Sequence, residues 1–143
     1  MTDLNARWVK IATVKYDDAA YALAATTATI DCPALLPPAN DTDVMILETL
    51  VHERIQFAIA ASTLALDIGT AGTLEELAKD VALESASGTD TLGSATTSVK
   101  PRLIRAKGYV PRLTFTSSSG NLSTTTAGAV DIYVLVGAAP RLN

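Results

Sequence analysis

Glu48, His52 and Glu53 are residue types that could do chemistry together. One imidazole between two carboxylates could hold a divalent metal or pass a proton in acid–base catalysis. They fall in an alternating stretch, however, and a period of two sends Glu48 and His52 to one face and Glu53 to the other. The chain has one histidine and one cysteine, so a zinc centre would have to be built on a single imidazole. A surface cluster of ion pairs and hydrogen bonds accounts for the three residues better. Cys32 has no partner for an intrachain disulfide and no histidine near it in sequence; beside Pro33 it reads as a small buried residue rather than a nucleophile. Gly69-Thr70-Ala71-Gly72 lacks the lysine and spacing of a phosphate-binding loop and reads as a tight connection. Since no motif pairs an activated nucleophile with a base or positions two carboxylates, we expect neither an enzyme nor a cofactor or metal.

Charge points to contacts instead. The net charge is −4 and the isoelectric point is near 4.8, which argues against nucleic acid as a partner. Lys100, Arg102, Arg105, Lys107 and Arg112 lie in one acid-free segment. Asp67, Glu75, Glu76, Asp80, Glu84 and Asp90 precede them. An acidic half followed by a basic half can dock on a neighbouring copy or on an acidic surface; two solvated faces are the plainer reading. Trp8, near the N-terminus, and the Leu35-Leu36 pair in the proline-rich segment 31–43 are candidate apolar anchors. Packing on their own core is the alternative for each.

The elements that must position these residues are mostly strands. The chain is 143 residues long, the size of a single domain spanning 1–143. It is 48% hydrophobic but only 5% aromatic, with a mean hydropathy of +0.27. Such a composition suits a thin β core and small-residue contacts between subunits. The longest apolar runs are far shorter than the roughly 20 residues needed to span a bilayer, and MTDLNARWVK lacks the apolar core of a signal peptide. We therefore expect no membrane partner and a protein made in the cytoplasm.

Trp8–Tyr16 reads as a strand with a bulge near Ala12 and Thr13, and Tyr21–Ile30 as a thin strand of alternating alanine and threonine. Val44–Ile59 carries the longest alternation, with Met45, Leu47, Val51, Ile55, Phe57 and Ile59 on one parity. It exceeds the usual strand of about 5–6 residues, so a bend or hairpin is expected near His52–Arg54. Thr63–Ile68 is a short strand. Thr73-Leu74-Glu75-Glu76 matches a capping box and is followed by Leu77, Ala78 and Val81 at helical spacing, which predicts a helix ending near Glu84, with a strand edge as the alternative. Residues 85–98 read as a polar linker, and Pro101 and Pro111 confine the basic segment to edges or loops.

Residues 112–136, RLTFTSSSGNLSTTTAGAVDIYVLV, organise the rest. Leu113 and Phe115 face inward on one strand; Val130, Ile132, Val134 and Val136 share a face on the other. The strand Thr114–Thr116, the Gly120-Asn121-Leu122 and Thr126-Ala127-Gly128 connections, and the closing Val130–Val136 resemble the C-terminal half of small β-sandwich proteins encoded beside tailed-phage capsid genes. Leu64–Gly72 resembles the same proteins' strand followed by a Gly-Thr-Ala-Gly turn. The resemblance covers roughly residues 44–138.

Together these readings lead us to expect an all-β fold: a jelly-roll-like antiparallel β-sandwich of about 8 strands with one short helix. The resemblance implies a capsid decoration or cement protein of the virion. It would be assembled in the host cytoplasm, bind the outer capsid surface through the major capsid protein, and form a homotrimer. Contacts would come from Arg102, Arg105, Lys107 and Arg112 against acidic partners and from Trp8, Leu35 and Leu36. The competing expectation is a carbohydrate- or host-surface-binding sandwich of a phage fibre. Its sugar platform would need exposed aromatics, and the chain has one tryptophan, two phenylalanines and four tyrosines.

Overall fold

Alternating valine, isoleucine and leucine along several short segments produce two antiparallel sheets, each with one face turned to a shared core. The computed structural model describes residues 6–38, 42–60, 62–84, 88–92 and 103–139. The strands are β1 (Arg7–Lys15), β2 (Thr27–Asp31), β3 (Val44–Ala58), β4 (Leu64–Gly69), β5 (Ala78–Ala82), β6 (Thr89–Leu92), β7 (Leu103–Arg105), β8 (Arg112–Ser117) and β9 (Ala127–Ala138). One sheet has the order β1-β9-β3-β6, with β7 also paired to β3; the other has the order β2-β8-β4-β5. Leaving β7 aside, the pairs are nested. β4 pairs with β5, β3 with β6, β2 with β8 and β1 with β9. The chain is thus one long hairpin rolled up, with the turn after Gly69 at its centre. Among the described residues no helix is long and apolar enough to cross a membrane.

Val14, Val130, Ile132, Val134 and Val136 from one sheet and Leu64, Leu66, Ile68, Leu113 and Phe115 from the other belong to one buried cluster. Tyr21 lies within it. Its ring is 5.2 Å from Phe115 and 5.6 Å from Phe57, centroid to centroid. Its hydroxyl is 2.9 Å from Thr125 Oγ1, which donates in turn to the Leu122 carbonyl. The strand expected from Tyr21 onward starts later, because the Tyr21 and Ala22 amides both donate to the Asp18 carbonyl in a turn, and only Thr27–Asp31 joins the sheet.

Bulges account for most other departures. In β1 the register against β9 shifts between Lys10 and Ala12, so Ile11 is the extra residue, one position before the expected site. β3 runs unbroken from Val44 to Ala58, and the hairpin considered near His52 is absent. Instead its register against β9 shifts three times, after Ile46, after Glu53 and after Ile55. Each inserted residue reverses the facing of the residues beyond it. Ile55, expected inward, is therefore exposed, while Phe57 returns to the core. Glu53 is buried, and its Oε2 accepts a hydrogen bond from the Phe57 amide, 3.1 Å away, across the irregular stretch.

The helix expected after Thr73 does not form. Ala78–Ala82 is a strand paired to β4, and one residue is inserted opposite Asp67, where Asp80 takes a positive φ of 51°. The bulge spaces the inward residues Ala78 and Val81 three apart, which mimics helical periodicity. Glu75 and Lys79 still pair, at 3.3 Å. The only helical turn among the described residues is a 3-10 turn at Leu122–Thr124. β6 lies where a linker was expected.

Candidate interface

Two segments distant in sequence run side by side at one end of the molecule. β2 pairs with β8 up to Asp31 opposite Arg112, and the contact continues past both strands. The Cys32 amide donates to the Pro111 carbonyl (2.8 Å) and the Leu35 amide to the Tyr109 carbonyl (2.7 Å). The Gly108 amide donates back to the Leu35 carbonyl (3.2 Å). This ladder gathers Leu35, Leu36, Lys107 and Arg112, with Arg105 close by on β7.

Their surroundings differ. Leu35 is buried, at 3% exposure, and anchors its segment to the core; Leu36 beside it is 60% exposed. Val110 and Ile104, which the sequence reading did not single out, are also exposed. The pairing that leaves them bare is long-range, so nothing local in the sequence marks them. Lys107 is exposed in the turn before Tyr109.

The basic residues are largely matched within the chain. Arg112 Nε and Nη2 donate to the two carboxylate oxygens of Asp31, at 2.7 and 3.2 Å. That hydrogen bonding holds the Asp31 carboxyl below its usual range and raises the Arg112 guanidinium above its own. Arg105 Nη2 donates to Glu76 Oε1, and the Tyr109 hydroxyl donates to Glu76 Oε2, 2.6 Å away. The Glu76 side chain is only 12% exposed. Burial, then this carboxylate, pushes the Tyr109 phenol up. Glu76 therefore serves a tertiary latch rather than the capping box its spacing suggested. Arg102 lies outside the described residues, as does Lys100.

Trp8 is elsewhere. It lies on the first sheet opposite Leu135 of β9, with 45% of its surface exposed. Farther along that sheet, Asp131 is nearly buried among polar partners. Thr13 Oγ1 donates to its Oδ1 at 2.7 Å, Arg54 Nε lies 3.0 Å from Oδ2, and Lys10 Nζ lies 3.7 Å from Oδ1. A single aspartate within an otherwise apolar strand was the signal available for this three-strand clasp.

Glu48, His52 and Glu53 do not converge. His52 Nδ1 pairs with Asp90 Oδ1 at 2.6 Å, Glu48 Oε1 accepts from the Thr49 amide at 3.2 Å, and Glu53 turns to the Phe57 amide. Among the described residues no group of three histidine, cysteine or acidic side chains could hold a metal ion.

No protein-family model matches the chain, and no curated protein matches it. Among solved structures, a chain of the cyanophage Pam1 capsid asymmetric unit aligns with a TM-score of 0.55 and 17% sequence identity. The alignment covers 94% of this chain and 86% of that one. At that identity the likeness is one of fold: this chain shares its two-sheet all-β architecture with a protein of a phage capsid.

Proposed function

We propose that this chain is a non-enzymatic structural protein of a phage virion. In this reading it binds the outer capsid surface through the major capsid protein and cements or decorates the shell as a homotrimer. The observation that carries the reading is the whole-length fold likeness to a chain of a phage capsid asymmetric unit. The nested strand order supports the jelly-roll part of it, because pairing β4 with β5, β3 with β6, β2 with β8 and β1 with β9 is how a rolled hairpin of two Greek keys is built.

For the capsid-facing surface we propose the end carrying the exposed Leu36 and Val110, with Lys107 exposed in the turn between them. Arg105 and Arg112 are matched by Glu76 and Asp31, so they orient this surface more than they charge it. Leu35 holds the segment from beneath. Affinity then comes mainly from apolar burial, and the repetition of sites on a shell strengthens a weak single contact.

The test is co-sedimentation with capsids that lack the protein. The wild-type chain is expected to pellet with them, and a Leu36→Asp, Val110→Asp double variant to lose about a hundredfold in affinity while remaining folded. Wild-type chain left wholly in the supernatant would sink the proposal.

A further inference from the structure

We propose that Trp8 of one copy of this chain seats in a pocket beside β1 of a second copy, making a head-to-tail contact. This deepens the self-association part of the reading above and uses residues other than the exposed Leu36 and Val110.

The knob is an indole that its own fold leaves half uncovered. Trp8 is the only tryptophan in the chain, and Arg7 beside it is exposed. The hole lies where β1 and β2, edge strands of the two sheets, come together. It is an open pocket of about 420 Å³, within the roughly 300–1,000 Å³ range of side-chain- and ligand-sized sites. Buried Ile11, Val14 and Cys32 form an apolar floor, and Ala19 and Ala20 form a low wall.

Its rim is acidic. Asp18 and Asp31 line it, and Asp17 is adjacent. Asp18 Oδ2 accepts from the Lys15 amide at 2.8 Å, and Asp31 is held by Arg112, so both carboxylates are fixed in place. Lys10 is held by Asp131 and Asp31 by Arg112, so the charge match is between Arg7 beside the indole and Asp18 at the rim, above an apolar floor that can receive the ring.

A copy cannot fill its own pocket. Trp8 and the pocket's β1 residues, Ile11 to Val14, lie three to six positions apart on a strand rising about 3.3 Å per residue, with Trp8 opposite Leu135 of β9. The contact therefore joins different patches on two copies, and a contact of that kind closes into a ring when its rotation permits.

The experiment measures mass by light scattering and tryptophan emission over a dilution series. Wild-type protein is expected to associate with a blue shift in emission. Trp8→Ala, which keeps the hole, and Ala20→Arg, which keeps the knob, are each expected to be monomeric, with association weakened about thirtyfold or more. Mixed together, the two variants should form a heterodimer that grows no further, with the emission of the Ala20→Arg partner shifting to the blue. The proposal is overturned if wild type and Trp8→Ala have the same mass at every concentration, or if the mixture stays monomeric. It is also overturned if the emission shifts only when capsids are added, which would make the shell the occupant. Capsid binding itself is read by co-sedimentation, so either reading can fail alone.

Discussion

Gly128 occupies a position that no other residue fills without strain. Its φ is 146°, and a Cβ built there would lie 2.4 Å from the ring of Phe57, which is itself packed against Tyr21. Gly128→Ala is expected to destabilise the fold by about 2–4 kcal/mol, combining backbone strain with overpacking, as read from urea unfolding. Cys32 offers a test by pH. Burial, with the Asp31 charge adding to it, pushes its thiol from 9.0 up to about 11. The fold thus favours the neutral thiol. This contribution to stability is complete below pH 9 and is lost as pH rises toward 11. Over that interval wild-type stability should fall more steeply than that of Cys32→Ala; parallel curves from denaturant titrations would contradict the assignment.

Among the elements, β5 is the most instructive. Leu74, Leu77, Ala78 and Val81 have helical spacing, yet the Leu77 amide donates to the Ile68 carbonyl (2.8 Å) and the Leu83 amide to the Leu64 carbonyl (3.1 Å). The sheet claims these donors, and the inserted residue near Asp80 keeps Ala78 and Val81 in the core. Gly69 permits the reversal before it, since a Cβ there would lie 2.1 Å from the Thr73 carbonyl oxygen. A helix would bury Leu74 and Leu77 on one face, whereas here Leu74 is exposed and Leu77 is buried. Leu77→Ala should therefore cost about 2–4 kcal/mol, and Leu74→Ala less than about 0.5 kcal/mol. Equal losses in thermal or urea unfolding would favour the helix.

At the scale of the whole molecule, nested pairing divides the labour among surfaces. β1 and β9 meet across nearly the whole length of the chain, and the two sheets enclose one core. The same roll brings residues 31–35 against residues 108–112, which leaves Leu36 and Val110 bare beside them, and it sets β1 and β2 beside each other at the pocket. Because Arg105 and Arg112 are matched within the chain, apolar area is the larger resource for any partner at that end. The two proposed contacts adjoin at the Asp31–Arg112 pair, so their tests rest on residues away from it: Leu36 and Val110 for one, Trp8 and Ala20 for the other.

By itself the sequence determined the class of the fold and the direction of its principal faces. Val130, Ile132, Val134 and Val136 are all fully buried, as are Leu113 and Phe115, because the inserted residues lie on the partner strands β1 and β3 and a period of two survives along β9 and β8 themselves. Alternation likewise sent His52 and Glu53 to opposite faces. The structure alone decided what depends on a single inserted residue or on a distant partner. Ile55 turns outward after one bulge, and β5 borrows a helical spacing from another. Tyr21 enters the core, and Glu76 leaves its local cap for Arg105 and Tyr109. These outcomes arise from register between strands far apart in the chain, and register is a property of the paired ladder that no single segment carries.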